Sequence, residues 1–207
     1  SVTDEQGRFS FALGDSGVRW YIRVRARNLA PMQLHEQPAG ARPIEVRMGY
    51  GATVSGRLLR EGRPLPGIGV GRVQAARAAQ FMAYRHDEIS TDERGVFTFL
   101  NVTPGEDYFV HGKMESLGKF GALDTTRVHV RGEGSFERVG DLVVGPGRRV
   151  AGRVVLSDGK PVPPGTRLLL ALEYAFDAQN QTLGEDGGFD LRGVPPGDAA
   201  LMVRVRG

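Results

Sequence analysis

"STDERGVFTF" (residues 90–99) places an acidic pair one residue before a glycine and follows it with apolar residues at every second position. Taken alone it could be a cation-binding or catalytic loop, or the turn of a hairpin. Two near-copies occur elsewhere in the chain, "VTDEQGRFSF" (2–11) and "LGEDGGFDLR" (183–192). Aligned on Gly7, Gly95 and Gly187, all three carry phenylalanine two positions later, at Phe9, Phe97 and Phe189. Glycine returns ten positions after each anchor, at Gly17, Gly105 and Gly197, ahead of the apolar runs "RWYIRV", "DYFVHG" and "ALMVRV". The carboxylates change from Asp-Glu to Glu-Asp while the glycines and the aromatic persist. What repeats is therefore what a turn and a core require: an Asp side chain to cap the turn, a glycine free to take positive φ, and a large apolar residue pointing inward.

The anchors lie 88 and 92 residues apart (95 − 7 and 187 − 95), a spacing that suits one small β-domain and exceeds a solenoid unit. A second shared element, "TVSGRLLREGRPLPG" (53–67) and "RVAGRVVLSDGKPVPPG" (149–165), follows short strands joined by Gly-containing links. The organisation predicted is the back half of one β-sandwich (1–49), a whole one (50–145) and the front of a third (146–207). Apolar residues at a period near two, with turn signals every eight to twelve residues, predict an all-β fold of tandem antiparallel, Ig-like sandwiches. "QAARAAQFMAY" (74–84) departs from this pattern and reads as a strand running into an insertion with a helical turn.

Composition narrows the function classes. The hydrophobic share of 40% and charged share of 25% are those of a folded chain, with 30 Gly and 12 Pro supplying turns. There is no cysteine, so thiolate metal sites, disulfides and cysteine nucleophiles are excluded. The net charge is only +3, and basic runs such as "RVRAR" (23–27) alternate with apolar residues as the wet face of a strand does, which argues against nucleic-acid binding. The longest apolar run, "LLLAL" (168–172), is too short to span a membrane. Ser1 falls inside a motif, so the chain is expected to be a segment of a longer protein.

The combination "VSGRL…GRPLPGIGV…STDERGVFTFLNVTPGEDYFV" resembles the carboxypeptidase regulatory-like domain, a transthyretin-like sandwich, and is similar to collagen-adhesin B-type repeats. That resemblance implies a non-enzymatic spacer or interaction module of a larger bacterial envelope or secreted protein, lying outside the cytoplasm. Its partners would be other domains of the same polypeptide, another surface protein or a glycan, with no cofactor and no nucleic acid. A carbohydrate-binding module and an accessory domain of a metallocarboxypeptidase are the alternatives. Collagen-adhesin repeats often carry a Lys–Asn isopeptide bond, but the three lysines, Lys113, Lys119 and Lys160, do not occupy the first-strand position such a bond needs.

No constellation of catalytic residues emerges. The serines lack a nucleophile elbow, and "GIGVGR" (67–72) reads as turn glycines rather than a phosphate loop. Adjacent carboxylates at Asp4/Glu5, Asp92/Glu93 and Glu185/Asp186 offer too few oxygens for Ca²⁺. The residues singled out for ligand contact are Trp20, Tyr84 and Phe120, as exposed aromatics, and His86 in "RHDE" (85–88). His111 and His129 would matter only if they met across strands. Short links ("MGYGA", "VGPGRR") predict a semi-rigid rod, with partner contact at loops 74–90 and 112–126.

Overall fold

The computed structural model describes residues 2–11, 19–38, 43–77, 87–175 and 177–205. An N-terminal hairpin comes first, β1 (Arg19–Val24) and β2 (Met32–Pro38). The middle stretch holds β3 (Ala52–Arg60), β4 (Arg63–Pro64), β5 (Gly69–Gln74), β6 (Asp87–Ser90), β7 (Val96–Val102), β8 (Asp107–Gly112), β9 (Thr126–His129) and β10 (Phe136–Val143). A short helix, α1 (Met114–Leu117), lies between β8 and β9. The last stretch holds β11 (Arg148–Arg153), β12 (Arg167–Leu172), β13 (Ala178–Thr182), β14 (Gly188–Val194) and β15 (Ala199–Arg204).

The middle stretch is a two-sheet sandwich. In one sheet β3 is flanked by β10 on one side and by β7 and β4 on the other; the second sheet runs β6-β5-β8-β9. Val54, Leu58, Phe97 and Phe99 of the first sheet and Val70, Tyr108 and Val110 of the second belong to one buried cluster. Each such side chain taken from water contributes on the order of 1.5–3 kcal/mol. Pairing is antiparallel with one exception: β10 runs parallel to β3. Antiparallel hairpins predicted from turn spacing did not anticipate this pair, because β10 returns beside β3 only after the whole second sheet has been laid down.

The repeated motifs explain one another in three dimensions. Gly56 of "VSGRL" faces Gly140 and Phe97, where an added Cβ would come within 2.6 Å of the Phe97 ring. Gly152 of "VAGRV" has the same relation to Phe189, at 2.8 Å. The strand glycine is the space that the phenylalanine after the turn occupies. The last stretch repeats the arrangement, β11 pairing β14 while β12 pairs β13 and β15, around a smaller cluster containing Val162, Leu168, Leu170 and Leu191.

The segment 74–84, read as a strand running into an insertion with a helical turn, starts from the end of β5 and a 3-10 turn, Ala75–Arg77, and residues 78–84 lie outside the described residues. "GIGVGR" is a correction: only Gly67 sits in a turn with positive φ, whereas Gly69 and Gly71 lie inside β5. Gly71 carries no side chain because the His111 imidazole fills that space.

Candidate functional site

Among the residues singled out for ligand contact, Tyr84 and His86 lie outside the described residues. Trp20 sits in β1 opposite Gln37, and its side chain is likewise outside them. Phe120 is placed differently from the exposed platform expected. Its amide bonds back to the Leu117 carbonyl, and its half-buried ring packs on the core of the middle sandwich with Lys119 Nζ 5.0 Å from the centroid. His111 and His129 do not meet, since His111 faces Gly71 from β8 while His129 of β9 pairs with Asp107, Nδ1 to Oδ1 at 3.1 Å.

The acidic turns spend their carboxylates on the backbone. Asp92 Oδ1 accepts from the amides of Arg94 (2.9 Å) and Val96 (2.8 Å), and Asp4 Oδ1 from those of Gln6 and Arg8. The bond from the Arg8 amide, with further bonds from the Arg8 side chain and the Gln6 amide, holds the Asp4 carboxyl below its ordinary range. Gly7, Gly95 and Gly187 take φ of 75°, 72° and 71°. In the third copy Asp186 caps from a different position, Oδ1 accepting from the Gly188 amide at 3.2 Å. Thr91 of the central motif bridges buried backbone, donating to the Leu65 carbonyl at 2.6 Å and accepting from the Ile68 amide at 2.9 Å. Among the described residues no three His, Asp or Glu side chains come together as a metal site.

Two places bring chemistry-bearing side chains from separate parts of the chain together. The first is a dry joint between the middle and last stretches. β8 ends at Gly112, and the chain turns into α1, where Met114 is 1% exposed and belongs to the hydrophobic cluster of the last stretch. Lys113, at the N-cap position, does not cap the helix with its own side chain. Asp177, ahead of β13, supplies the cap: its Oδ2 accepts from the Met114 amide at 2.6 Å. Its other oxygen lies 3.1 Å from Lys113 Nζ and 3.1 Å from the Ala178 amide. The Asp177 side chain is 3% exposed and that of Lys113 15%, with Glu88 Oε2 also 3.9 Å from the ammonium. Burial pushes the Asp177 carboxyl above its ordinary pKa, against the opposing pull of the Met114 amide and Lys113. Elsewhere between the two stretches the Phe109 and Tyr174 rings sit 5.3 Å apart, and Gly193 approaches the backbone of Gly118 and Gly121. Loop 112–126, expected to be a contact surface, meets the last stretch of its own chain through Lys113 and Met114.

The second place is a cleft of about 740 Å³ between residues 23–31 and the side of the middle sandwich, where β6 and β7 lie at the edges of their sheets. Arg72 of β5 lines it, 6% exposed. Its guanidinium lies 5.4 Å from the Phe99 ring centroid and 5.1 Å from that of Tyr108, and it donates to Asp87 Oδ2. Desolvation, the largest influence, pushes the Tyr108 hydroxyl up. A direct bond crosses near this cleft, from Thr103 Oγ1 to the Pro31 carbonyl at 3.2 Å. Neither place was visible in the sequence. Lys113 and Met114 stand in a stretch with no counterpart in the other copies, and that departure from the repeat was the only available signal.

No family model matches the chain, and no curated protein matches it. Among solved structures it is similar to the Bacillus anthracis TIE protein, with 13% identity and a TM-score of 0.35, covering 90% of this chain and 34% of that one. It is similar also to a streptococcal ancillary pilin, with 16% identity and a TM-score of 0.35, over 88% of this chain and 65% of the other. A DUF3823 family protein from Parabacteroides merdae aligns at 13% identity and a TM-score of 0.33, over 72% and 80%. The chain thus spans about a third of the first of these proteins and just under two thirds of the second.

Proposed function

We propose that this chain is a non-catalytic structural segment of a larger extracytoplasmic protein, in which tandem sandwich units (1–49, 50–145 and 146–207) are joined stiffly and hold their edges and loops at fixed positions. The observation that carries the reading is the joint at Lys113, Met114 and Asp177. A methionine from one unit completes the core of the next, and a buried ion pair closes over it. Such a contact resists bending, because swinging the units apart would expose Met114 to water and strip Asp177 of the ammonium and amide that compensate its charge. A spacer needs this property, whereas an enzyme needs a reactive group held in an accessible site.

The test uses the absence of cysteine. Spin labels at Thr98→Cys and Gln181→Cys, on exposed or partly exposed strand positions of the two units, report their separation by pulsed electron resonance. A single narrow distance distribution in the full chain, broadened by Met114→Ala, is the expected result. A broad distribution in the parent chain would refute the stiff-joint reading.

A further inference from the structure

The last stretch follows the strand arrangement of the middle one only in part, and the difference leaves a surface open. β12 lies between β13 and β15 as β5 lies between β6 and β8, and β11 pairs β14 as β3 pairs β7. β15 therefore stands where β8 stands, and β11 where β3 stands. In the middle sandwich β9 adds antiparallel to the other edge of β8, and β10 adds parallel to β3. Among the described strands nothing occupies the corresponding edges, since β15 pairs only with β12 and β11 only with β14.

The apolar faces show what those edges lack. Leu201 and Val203 stand opposite Leu170 and Leu168, and residues opposite one another in a ladder share a face of the sheet. Both leucines of β12 are buried in the core of the last stretch, yet Leu201 and Val203 are 46% and 45% exposed. Val110 of β8 is 0% exposed, in a cluster that includes Val130, Leu142 and Val144 from the region of β9 and β10. Across the sandwich, Val54 and Leu58 on either side of Gly56 are buried, whereas Val150 and Val154 on either side of Gly152 are only partly covered. The edge of β15 is regular: its ladder with β12 runs over Ala199–Arg204 without a register shift, no residue there has positive φ, and residues 199–203 carry no charge. The register shift in β11, between Arg148 and Val150, matches the one in β3 between Ala52 and Val54, and β3 still accepts a parallel partner. An uncharged open edge beside an exposed apolar face is completed by another strand. We propose that this side of the last unit is a docking site for a strand–loop–strand segment of the same protein, built like β9 and β10. Its first strand adds antiparallel to β15, its second lies parallel to β11, and its inward apolar residues cover Leu201 and Val203. The proposal rests on the reading of 146–207 as the front of a sandwich unit.

The experiment uses the full chain and a fluorescein-labelled peptide with the sequence of residues 124–145, read by anisotropy. Two controls accompany it: a scrambled peptide of the same composition, and one N-methylated at alternate residues of 126–130. The native-sequence peptide is expected to bind, with both controls weaker by about tenfold or more, since one loses the apolar register and the other the strand pairing. Val203→Lys, on the face shared with Leu168, should weaken binding by about tenfold or more. Met202→Lys, on the opposite face, should leave it nearly unchanged, with circular dichroism confirming that both variants fold. Equal binding of the scrambled peptide overturns a built site, and equal binding of the N-methylated one overturns strand addition. Self-association of the parent chain that Val203→Lys abolishes, with no peptide bound, assigns the edge to a second copy and overturns the occupant. A monomeric chain that binds no probe overturns the site. A narrow spin-label distance between positions 98 and 181 in that case means that the stiff joint stands and the docking alone has failed.

Discussion

The two places where distant parts of the chain meet are built on opposite principles. At the 112–126 loop the contact is dry: Met114 is inserted, Asp177 caps α1, and Lys113 closes over the carboxylate. At residues 23–31 the contact is more open: among the described residues a hydroxyl bond from Thr103 to Pro31 stands beside a 740 Å³ cleft lined with arginines and carboxylates. The middle sandwich thus makes a buried contact on one side and borders an open cleft on another. Buried area and compensated charge separate them. An ion pair shielded from water is costly to break, while an exposed polar contact trades easily with solvent.

The strongest way to break this contrast is to leave Asp177 without its ammonium. Lys113→Met should cost about 3–5 kcal/mol in urea unfolding at neutral pH, the usual penalty for orphaning one half of a buried pair. Because burial raises the Asp177 pKa in the folded chain, protonation is favoured there relative to the unfolded chain. Stability linked to that proton is fully present below the ordinary value of 3.8 and is lost as pH rises through the raised one. The gap between Lys113→Met and the parent should therefore narrow as pH falls through that window. Met114→Ala should cost about 2–5 kcal/mol, as truncations in a packed core do, and a loss confined to a few tenths would show that the plug is not buried in solution.

The strand glycines sharpen a different comparison, between the two copies of one motif. Gly56→Ala meets Phe97, which is 1% exposed, while Gly152→Ala meets Phe189, which is only partly buried and can move aside. Overpacking should cost about 1–3 kcal/mol at the first position and less at the second, measurable by thermal melts of the two variants. At Glu137, hydrogen bonds from the Arg131 side chain lead those that hold the carboxyl at about 2 against an ordinary 4.5. Its contribution is present above 4.5 and lost as pH falls toward 2, so the stability difference between parent and Glu137→Gln should fade across that interval. Thr103→Val, which removes the hydroxyl bond to the Pro31 carbonyl, should cost no more than about 1 kcal/mol.

How far the sequence could be read depended on the range of the interaction. The turn at 92–95 was legible because its determinants are adjacent: an Asp whose oxygen reaches amides two and four residues on, and a glycine at positive φ. The alternation of "GVFTF" fixed which faces were buried, and Phe97 and Phe99 are both in the core. The pairing of Gly56 with Phe97 was present as two motifs whose connection, 41 residues apart (97 − 56), had no local sign. The parallel β3–β10 pair and the half-burial of Phe120 had no local sign for the same reason: strand direction and the packing of a loop aromatic depend on the path of the chain.

The sequence by itself determined the turns and the buried faces, since each rests on residues within a few positions of one another. Only the tertiary structure brought Lys113 and Met114 together with Asp177, and Arg72 with Asp87, Phe99 and Tyr108. Those associations join residues 15 to 64 positions apart (87 − 72 and 177 − 113), and their strength comes from shared exclusion of water, which no local pattern records.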